Sequence, residues 1–594
     1  MLGAKTDQSS SLELPAPSTA RLPRWFQVLL LIMLAACLVM MFIGAVVVGT
    51  TWDEQAQVVQ LQTFLDQGWH MGPDALINGV PDPTFMYGSF VYGPVGELIP
   101  HLVNVVLGNE TLHTVSSTAA AFAGRHIGTA LLAAAGVAAA GLTIRVLTRS
   151  WPWALLGATL LAVTPLWLGH GMFNIKDTPV ASGYTIATLG IVGVTQIRYL
   201  QEPRLRTLSL VALALGAVLA AGTRTVSGLP IAASFVIALA WMWLLELRRG
   251  RNYARDFRVV RRFLEGLGAL VLAYGVLVLI YPKAYINPYS LGMTAVKQSL
   301  SFPWNEAQLT NGVWMLQPVN WSYLPLWFGA QLPIIIIVGF LVFALFWIRD
   351  SIRFLAKPNP SPNSSNFLGG TAPILLQALL LPVGGLIGHS IMYNGTRHML
   401  AVVPALVILS TLGLWRIMSC SPVLKSRGAS TLGWMAVSLG IVIPFAAQSQ
   451  LFPYNYSYFN AAAVSQGIDG RWATDYWRAG GRELIQRLPE QGRESCGTEQ
   501  LAKGEIFPCL SQPMFSTYAA ERGINAKAGF IDENQYWFIR ENSGILELPA
   551  GCVPFDSVTR KLFWETITIG QIGICDSRID VGRIDYANPQ VSAN

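Results

Sequence analysis

The sequence predicts a polytopic α-helical membrane protein that carries a mixed α/β domain at its carboxyl end. Of its 594 residues, 52% are hydrophobic and only 12% are charged, whereas about a quarter of the residues of a soluble domain are charged. The mean hydropathy is +0.44. Apolar runs long enough to cross a bilayer recur from residue 25 to residue 448, and beyond that point they shorten and are interrupted by Gly, Pro and charged residues.

About eleven of these runs are candidate spans, with a margin of one or two because several are only just long enough. They lie near 25–49, 125–147, 152–170, 179–197, 205–222, 226–247, 263–282, 327–348, 371–393, 398–416 and 430–448. The pattern is that of a multi-pass protein of the plasma (inner) membrane.

Basic residues fall in alternate connections, such as those with Arg145 and Arg149, with Arg198 and Arg204, and with Arg349. The positive-inside rule places these connections in the cytoplasm. The amino terminus is then cytoplasmic, and an odd number of spans leaves the carboxyl-terminal domain outside. The net charge of +7 is thus explained by topology, so we do not expect a nucleic-acid partner.

The chain divides into three parts. Residues 1–24 have the composition of a disordered cytoplasmic tail, residues 25–450 form the transmembrane domain, and residues 451–594 form the extracytoplasmic domain. The first outer loop, about 52–124, is long enough to need structure of its own. Apolar residues at helical spacing predict an interfacial helix over Ala56 to Trp69, and a second short helix begins near Glu97.

The extracytoplasmic domain is predicted to contain a helix near Arg478 to Leu488 and a strand over Lys561 to Ile574. It also holds four of the six cysteines, which are Cys496, Cys509, Cys552 and Cys575. Outside the cytoplasm these fit two disulfides, although the sequence allows three pairings. The alternative is four free thiols.

Asp53 and Glu54 emerge together at the far end of the first span, where hydrocarbon gives way to water. Two carboxylates at this depth need a reason, because ionisable groups are costly there. We interpret them as the acid/base and orienting pair of an enzyme that works at the outer face of the membrane.

Three cations share that face. Lys176 stands beside Asp177 between two spans, and it is a suitable phosphate partner that Asp177 could orient; Asp177 could also bind a divalent metal. Arg397, followed by His398, heads a late span, and Arg224 follows an earlier one, against the positive-inside tendency. A lipid phosphate would explain them. The alternatives are an interface-anchoring Lys with a helix-capping Asp, and arginines that snorkel to headgroups.

Other motifs are missing or unspecific. The sequence has no Walker A loop, no Gly-x-Ser-x-Gly elbow, no His-Glu-x-x-His and no cytosolic stretch large enough for a nucleotide fold. An enzyme here would use an activated lipid or lipid-linked group. Many aromatic residues near the outer face, among them Tyr92 and Trp477, fit an interfacial belt, and a few of them could stack on a sugar ring.

Together these motifs resemble the GT-C superfamily of glycosyltransferases that use polyprenyl-phosphate sugars. The branch most similar is that of protein O-mannosyltransferases, aminoarabinose transferases and their bacterial relatives. The resemblance covers about residues 25–480. It is carried by Asp53-Glu54, by Thr164-Pro165 and the following Lys176-Asp177-x-Pro179, by Arg397-His398, and by Tyr454-x-Tyr456-x-Tyr458-Phe459-Asn460 with Asp475-Tyr476-Trp477.

The resemblance implies that Asp53 is the general base that takes the acceptor proton, with inversion at the sugar carbon, and that Glu54 orients the acceptor or tunes Asp53. It implies that Lys176, Arg397, Arg224 and His398 hold the donor phosphate. Some members bind a divalent cation, for which Asp177 is the candidate ligand; no other cofactor is expected. The acceptor would be an envelope glycan, lipid or protein hydroxyl, and the carboxyl-terminal domain matches no known sugar-binding module.

Two other classes of function stay open. A secondary transporter would place charged groups at the midplane of the membrane and would often show paired broken helices, neither of which the sequence indicates. A non-catalytic membrane scaffold would use the carboxyl-terminal domain to bind a partner. Transfer of a sugar from a lipid donor distinguishes the enzyme from both.

Overall fold

A computed structural model describes residues 22–82, 90–249, 254–304, 306–356, 361–420, 426–488, 496–500, 505–508, 515–518, 535–549 and 551–576. The predicted tail, residues 1–24, falls almost wholly outside this set. Helices make up most of the described chain, and the longer strands all lie beyond residue 490.

The helices follow the apolar runs of the sequence. They are α1 Arg24–Val47, α2 Glu54–Gln67, α3 Val95–Leu107, α4 Ala119–Thr148, α5 Trp151–Ala162, α6 Pro165–Phe173, α7 Asp177–Thr195, α8 Pro203–Thr223, α9 Gly228–Arg248, α10 Ala254–Ile280, α11 Pro282–Tyr285, α12 Pro288–Leu300, α13 Tyr323–Gln331, α14 Ile334–Ala356, α15 Pro362–Ile387, α16 Val402–Cys420, α17 Arg427–Leu451, α18 Ala461–Val464 and α19 Gly481–Arg487.

Within the described ranges, nine helices are long and apolar enough to cross a membrane, and the bent pair α5–α6 is a possible tenth. The expected span that is not among these ten is the one near 179–197, which corresponds to α7. The 19 residues of α7 include several polar ones between Thr178 and Thr195. Nearly every residue of α7 is buried among other helices. Its polar side chains therefore meet protein, which explains why it is less apolar than helices that face lipid.

Close packing of α7 against α8 brings the start of one helix to the end of the other. A Cβ on Gly190 would lie 2.5 Å from the backbone nitrogen of Leu213, and a Cβ on Gly216 would lie 2.2 Å from that of Ala187. Small residues permit such contact between membrane helices. The polar residues at these two helix ends are consequently neighbours.

The connection between α1 and α4, predicted as the first outer loop, contains both predicted helices, α2 and α3. Buried hydrogen bonds hold the loop together: Nε2 of His70, after α2, lies 2.9 Å from Oε2 of Glu97 in α3, and Nδ1 of His101 lies 2.6 Å from Oε2 of Glu110. Glu110 also pairs with Arg125 of α4. The loop is thus a structured part of the membrane domain.

Connections that carry the predicted cytoplasmic cations meet on one side of the bundle. Arg198 donates to the carbonyl of Val146 at 3.2 Å, and Arg248 donates to that of Leu355 at 2.6 Å. Asp53, Lys176, Arg224 and Arg397 meet on the other side, as their ion pairs show. Which side faces the cytoplasm stays a prediction of the charge pattern.

The carboxyl-terminal domain is built on a five-stranded sheet in the order β6-β5-β7-β9-β8. Strand β5 is parallel to β7, and the other neighbours are antiparallel. The shorter strands β1 to β4 form two small hairpins, one between α2 and α3 and one between α12 and α13. The strands are β1 Leu76–Ile77, β2 Val80–Pro81, β3 Gln308–Thr310, β4 Val313–Met315, β5 Cys496–Gln500, β6 Glu505–Pro508, β7 Gln535–Glu541, β8 Cys552–Leu562 and β9 Glu565–Asp576.

The single strand predicted over Lys561 to Ile574 is wrong in its boundary, because that stretch covers the turn between β8 and β9. Phe563 has a positive φ of 57° there, which a sequence of strand-forming residues does not reveal. One of the possible disulfides, Cys552–Cys575, joins the two strands. The pairing of Cys496 and Cys509 lies outside the described side chains.

Candidate functional site

Asp53 lies between two cations that come from distant parts of the chain. Its Oδ2 is 3.5 Å from Nζ of Lys176 and 3.3 Å from Nη1 of Arg397. Asp53 lies between the end of α1 and the start of α2. Lys176 directly precedes α7, and Arg397 begins a short 3₁₀ turn before α16. The three residues that the sequence predicted on one face are therefore in contact.

A second ion pair adjoins the first. Oδ1 of Asp177 lies 2.8 Å from Nη2 of Arg224. Asn174 fixes Asp177 in two ways, because its Nδ2 donates to Oδ2 at 3.1 Å and its Oδ1 accepts the backbone N–H at 2.7 Å. Asp177 was expected to orient Lys176 or to bind a metal, but in the structure it pairs with Arg224.

The loop before α3 closes the site from the side. Gly93 donates its backbone N–H to the carbonyl of Thr223 at 3.0 Å. A Cβ on Gly93 would lie 2.2 Å from the carbonyl oxygen of Gly222, so only glycine permits this approach. The contact carries Tyr92 over the site, where its ring centroid is 5.1 Å from Nζ of Lys176 and 5.6 Å from Cζ of Arg224.

Other aromatic rings contact Arg397. Its Cζ is 5.0 Å from the ring centroid of Tyr393 and 4.5 Å from that of Trp477. The ring of His398 contacts Tyr393, with ring centroids 4.6 Å apart, and no ion pair of His398 is seen in the described structure. Rings at these distances stabilise a desolvated guanidinium and fix its plane. Tyr92 and Trp477, two of the aromatic residues predicted near the outer face, thus contact cations of the site, as does Tyr393.

The electrostatics favour an anionic ligand. Lys176, Arg224 and Arg397 against Asp53 and Asp177 leave one excess positive charge, before any charge on His398 is counted. Burial alone would raise the pKa of the Asp53 carboxyl, but the positive charges of Lys176 and Arg397 outweigh it and hold that pKa below its usual value. Asp53 is thus ionised at neutral pH.

Glu54 faces away from this cluster. Its Oε2 lies 2.7 Å from Nε2 of His126 in α4, and its Oε1 accepts the backbone N–H of Thr51 at 2.7 Å. The other ring nitrogen of His126 contacts the carbonyl of Ala45 at 3.0 Å. These bonds fix the loop that carries Asp53, and they favour a supporting role over the expected orientation of an acceptor.

A buried hydrogen-bond network beneath the site was not predicted. Nδ2 of Asn174 lies 3.1 Å from Nδ1 of His170, and Nε2 of His170 lies 3.0 Å from the hydroxyl of Tyr476. Because Oδ1 of Asn174 accepts two backbone N–H groups, its Nδ2 must donate, and His170 is neutral with its proton on Nε2. The sequence signal was a His and an Asn just before Lys176.

The site gives little support to a bound metal. Within the ranges that the structure describes, no cluster of three or more His, Cys, Asp or Glu side chains could hold a metal ion. Asp177, the proposed ligand, is flanked by Arg224 and Asn174, which are donors toward it. A divalent cation stays a prediction of the resemblance alone.

Fold and site together define a polytopic membrane protein with a cluster of three cations around two carboxylates. No protein-family model and no curated protein matches the chain. Among solved structures, it is similar to ArnT from Cupriavidus metallidurans bound to undecaprenyl phosphate, with 12% identity, 92% of this chain and 97% of that chain covered, and a TM-score of 0.41. The apo state of the same ArnT gives 13% identity, the same coverage and a TM-score of 0.41.

A further similar structure is the apo form of the oligosaccharyltransferase of Archaeoglobus fulgidus. The identity is 11% and the TM-score is 0.45, with 79% of this chain and 59% of the larger protein covered.

Proposed function

We propose that this chain is an inverting glycosyltransferase of the GT-C kind that moves a sugar from a polyprenyl-phosphate donor to a hydroxyl group at the outer face of the plasma membrane. The acceptor is an envelope glycan, lipid or protein. One observation supports the proposal: an ionised carboxylate, Asp53, lies within 3.5 Å of two cations, Lys176 and Arg397, where membrane helices begin and end. The sequence motifs of the GT-C superfamily coincide with these residues.

The donor phosphate binds where Asp53 now meets Lys176 and Arg397. Cations in a partly desolvated site are well suited to a phosphodiester, and Arg397 presents a fork of donors to its oxygens. Arg224 stands next to them, held by Asp177. The polyprenyl tail leaves the site toward the surrounding lipid.

In the transfer step the acceptor oxygen attacks the anomeric carbon from the face opposite the phosphate. The bond from that carbon to the acceptor oxygen forms as the bond to the phosphate oxygen breaks, and the electron pair stays on the phosphate. Asp53 takes the acceptor proton and later passes it to water. Lys176 and Arg397 stabilise the charge that grows on the leaving phosphate.

Donor binding also prepares the base. In the resting site the charges of Lys176 and Arg397 hold the pKa of Asp53 low, which makes it a weak base. Once a phosphate neutralises those cations, the pKa of Asp53 rises toward the range of a useful base. Proton abstraction is thereby coupled to the presence of the donor.

The charge of the site favours a monophosphate-linked donor over a diphosphate-linked one. A sugar phosphodiester carries one negative charge, which matches the single excess positive charge of the five groups. The free phosphate gains a second negative charge as it leaves, so attraction increases along the reaction. A diphosphate would bring that extra charge already in the ground state.

The test uses purified protein in nanodiscs with a radiolabelled polyprenyl-phosphate sugar and envelope lipid as acceptor. Asp53→Asn should lower transfer by about 10²- to 10⁴-fold, the range for loss of a general base. Arg487→Met is the matched control, because Arg487 is exposed and pairs with Glu483 and Asp556 away from the site. Full transfer by Asp53→Asn would refute the proposal, and solute flux without transfer would favour a transporter.

A further inference from the structure

We infer that two consecutive residues, Trp477 and Arg478, are positioning residues that set the separation of Asp53 and Arg397. The sheet domain is then a working part of the site. This inference rests on the proposed function and deepens it, because it says what holds the base against its cation. Trp477 belongs to the Asp475-Tyr476-Trp477 motif, to which the proposed reaction assigns no role.

Trp477 holds the cation. Its ring centroid lies 4.5 Å from Cζ of Arg397, and the indole is itself 2% exposed. Phe173 packs against it with ring centroids 5.7 Å apart. Because its other contacts hold the indole in place, the guanidinium of Arg397 stacks on it in one preferred plane. The direction of the Arg397 fork thus depends on Trp477.

Arg478 holds Trp52, the residue next to the proposed base, Asp53. Its Cζ lies 4.0 Å from the ring centroid of Trp52, the residue before Asp53. Its Nε lies 3.5 Å from Oε2 of Glu541 in β7, and the two charged side chains are 4% and 2% exposed. A chain of contacts thus runs from the sheet through Glu541 and Arg478 to the loop that carries Asp53.

The backbone between these contacts is fixed to the sheet. Thr474 and Asp475 both donate their N–H groups to the carbonyl of Asn542, at 3.0 and 2.9 Å. Asp475 in turn accepts the N–H groups of Ala479 and Gly480, each at 2.9 Å. Residues 474–480 consequently form a rigid bridge.

The same bridge touches the end of the first span. Gly49 donates its N–H to the carbonyl of Ala479 at 3.1 Å, and a Cβ on Gly49 would lie 2.4 Å from that oxygen. Arg478 has a left-handed φ of 63°, a rare conformation for a residue of this size. Such backbone is kept where its surroundings determine it, and it occurs often at functional sites.

The bridge predicts a different kinetic effect for each of its two residues: Trp477 should act on donor affinity and Arg478 on turnover. Trp477→Leu lets Arg397 tilt, so the KM for the polyprenyl-phosphate sugar and the dissociation constant for polyprenyl phosphate should rise, while Trp477→Phe restores most of the affinity. Arg478→Asn removes the guanidinium, yet Asn tolerates a positive φ. Its kcat should fall by about 10- to 100-fold with little change in KM, since a 1 Å displacement of a reacting group can cost about 10².

Two further readouts separate positioning from general damage. In Arg478→Asn the acid limb of kcat/KM should move to higher pH, because Asp53 is no longer held near Arg397, and Arg478→Lys should recover part of kcat. If Arg478→Asn fails to fold, Trp52→Leu serves in its place. Trp52 is half-buried in the loop that carries Asp53, and its substitution should lower kcat in the same way. The matched control is Arg487→Met, which is expected to behave as wild type.

The outcomes discriminate. Two results together would overturn the positioning role. The first is a folded Arg478→Asn or Trp52→Leu variant whose kcat and pH profile equal those of the wild type. The second is a Trp477→Leu variant that binds polyprenyl phosphate as tightly as the wild type does. A wild-type protein that transfers no sugar would overturn the proposed function instead. In that case the affinity of Trp477→Leu for polyprenyl phosphate alone still decides whether Trp477 positions Arg397.

Discussion

Oδ1 of Asp177 lies 2.8 Å from Nη2 of Arg224, and the two residues come from the facing ends of α7 and α8. The Asp177 side chain is 5% exposed and that of Arg224 is 21% exposed. Breaking such a pair leaves one charge without its partner, which costs more than the pair itself contributes.

Asp177→Asn should therefore lower both the thermal midpoint of unfolding and the rate of transfer, because Arg224 loses its orientation. The double variant Asp177→Asn, Arg224→Gln should recover stability relative to the single variant, but not transfer. Thermal unfolding in detergent measures the first effect and the nanodisc assay the second. A single variant as stable as the wild type would contradict this account of the pair.

The two carboxylates at the end of α1 should differ in their effect on catalysis. Glu54→Gln keeps an oxygen for the N–H of Thr51 and an amide group that can face His126, so we expect transfer close to that of wild type. Asp53→Asn should lose it. Equal losses in the two variants would restore the expectation that Glu54 acts on the acceptor. Initial rates at saturating donor make the comparison.

The pH dependence should differ between free and donor-bound enzyme. The pKa of Asp53 is held below its usual value in the free site, so the acid limb of kcat/KM should lie below about 3.9, the ordinary value for Asp. The limb of kcat reports the donor complex, in which phosphate neutralises the cations, and should lie at higher pH. Coincident limbs would argue against the coupling of donor binding to the base.

Lys176→Met should move the acid limb of kcat/KM to higher pH, because one of the two charges that lower the pKa of Asp53 is gone. Transfer at neutral pH should fall by about 10²- to 10³-fold, as for loss of a group that stabilises transition-state charge. A pH–rate series on this variant and the wild type tests both effects. An unmoved limb would mean that Lys176 does not act on Asp53.

Stability should depend on pH through Asp475. Burial raises the pKa of Asp475 to about 7, above its unfolded value of about 3.9. A carboxyl with a raised pKa stabilises the fold when protonated, so this contribution is complete below about pH 4 and is lost as pH rises through about 7. Asp475→Asn should flatten the melting-temperature profile between these values. A profile unchanged by the substitution would contradict the assignment.

The parts of this molecule that follow from local pattern were predictable, and those that depend on tertiary contact were not. Apolar runs predicted the helices, and basic residues in alternate connections predicted that Asp53, Lys176 and Arg397 share one face. The sequence could not pair Asp177 with Arg224, since that contact depends on how closely α7 and α8 pack. Nor could the sequence show that Glu54 and Asp53 point to different partners, because the contact of Glu54 with His126 exists only in the folded chain.

Among the aromatic residues, sequence alone could not distinguish Tyr92 from an ordinary interfacial tyrosine. Its place over Lys176 depends on a backbone contact between Gly93 and Thr223, more than a hundred residues apart. The same is true of His170 and Tyr476, which meet only in the folded chain. Side chains that act by holding other side chains leave no spacing signal.

The bend of 67° between α5 and α6 has a bearing on biogenesis. It carries Gly169 so near the later chain that a Cβ there would lie 2.2 Å from the backbone nitrogen of Tyr456. The network beneath the site is therefore completed by residues that the ribosome makes after α17, the last of the described spans, because His170 next to Gly169 contacts Tyr476. A nascent chain stalled before residue 455 would hold α1 to α17 and still lack Tyr476 and Trp477, the partners of His170 and Arg397.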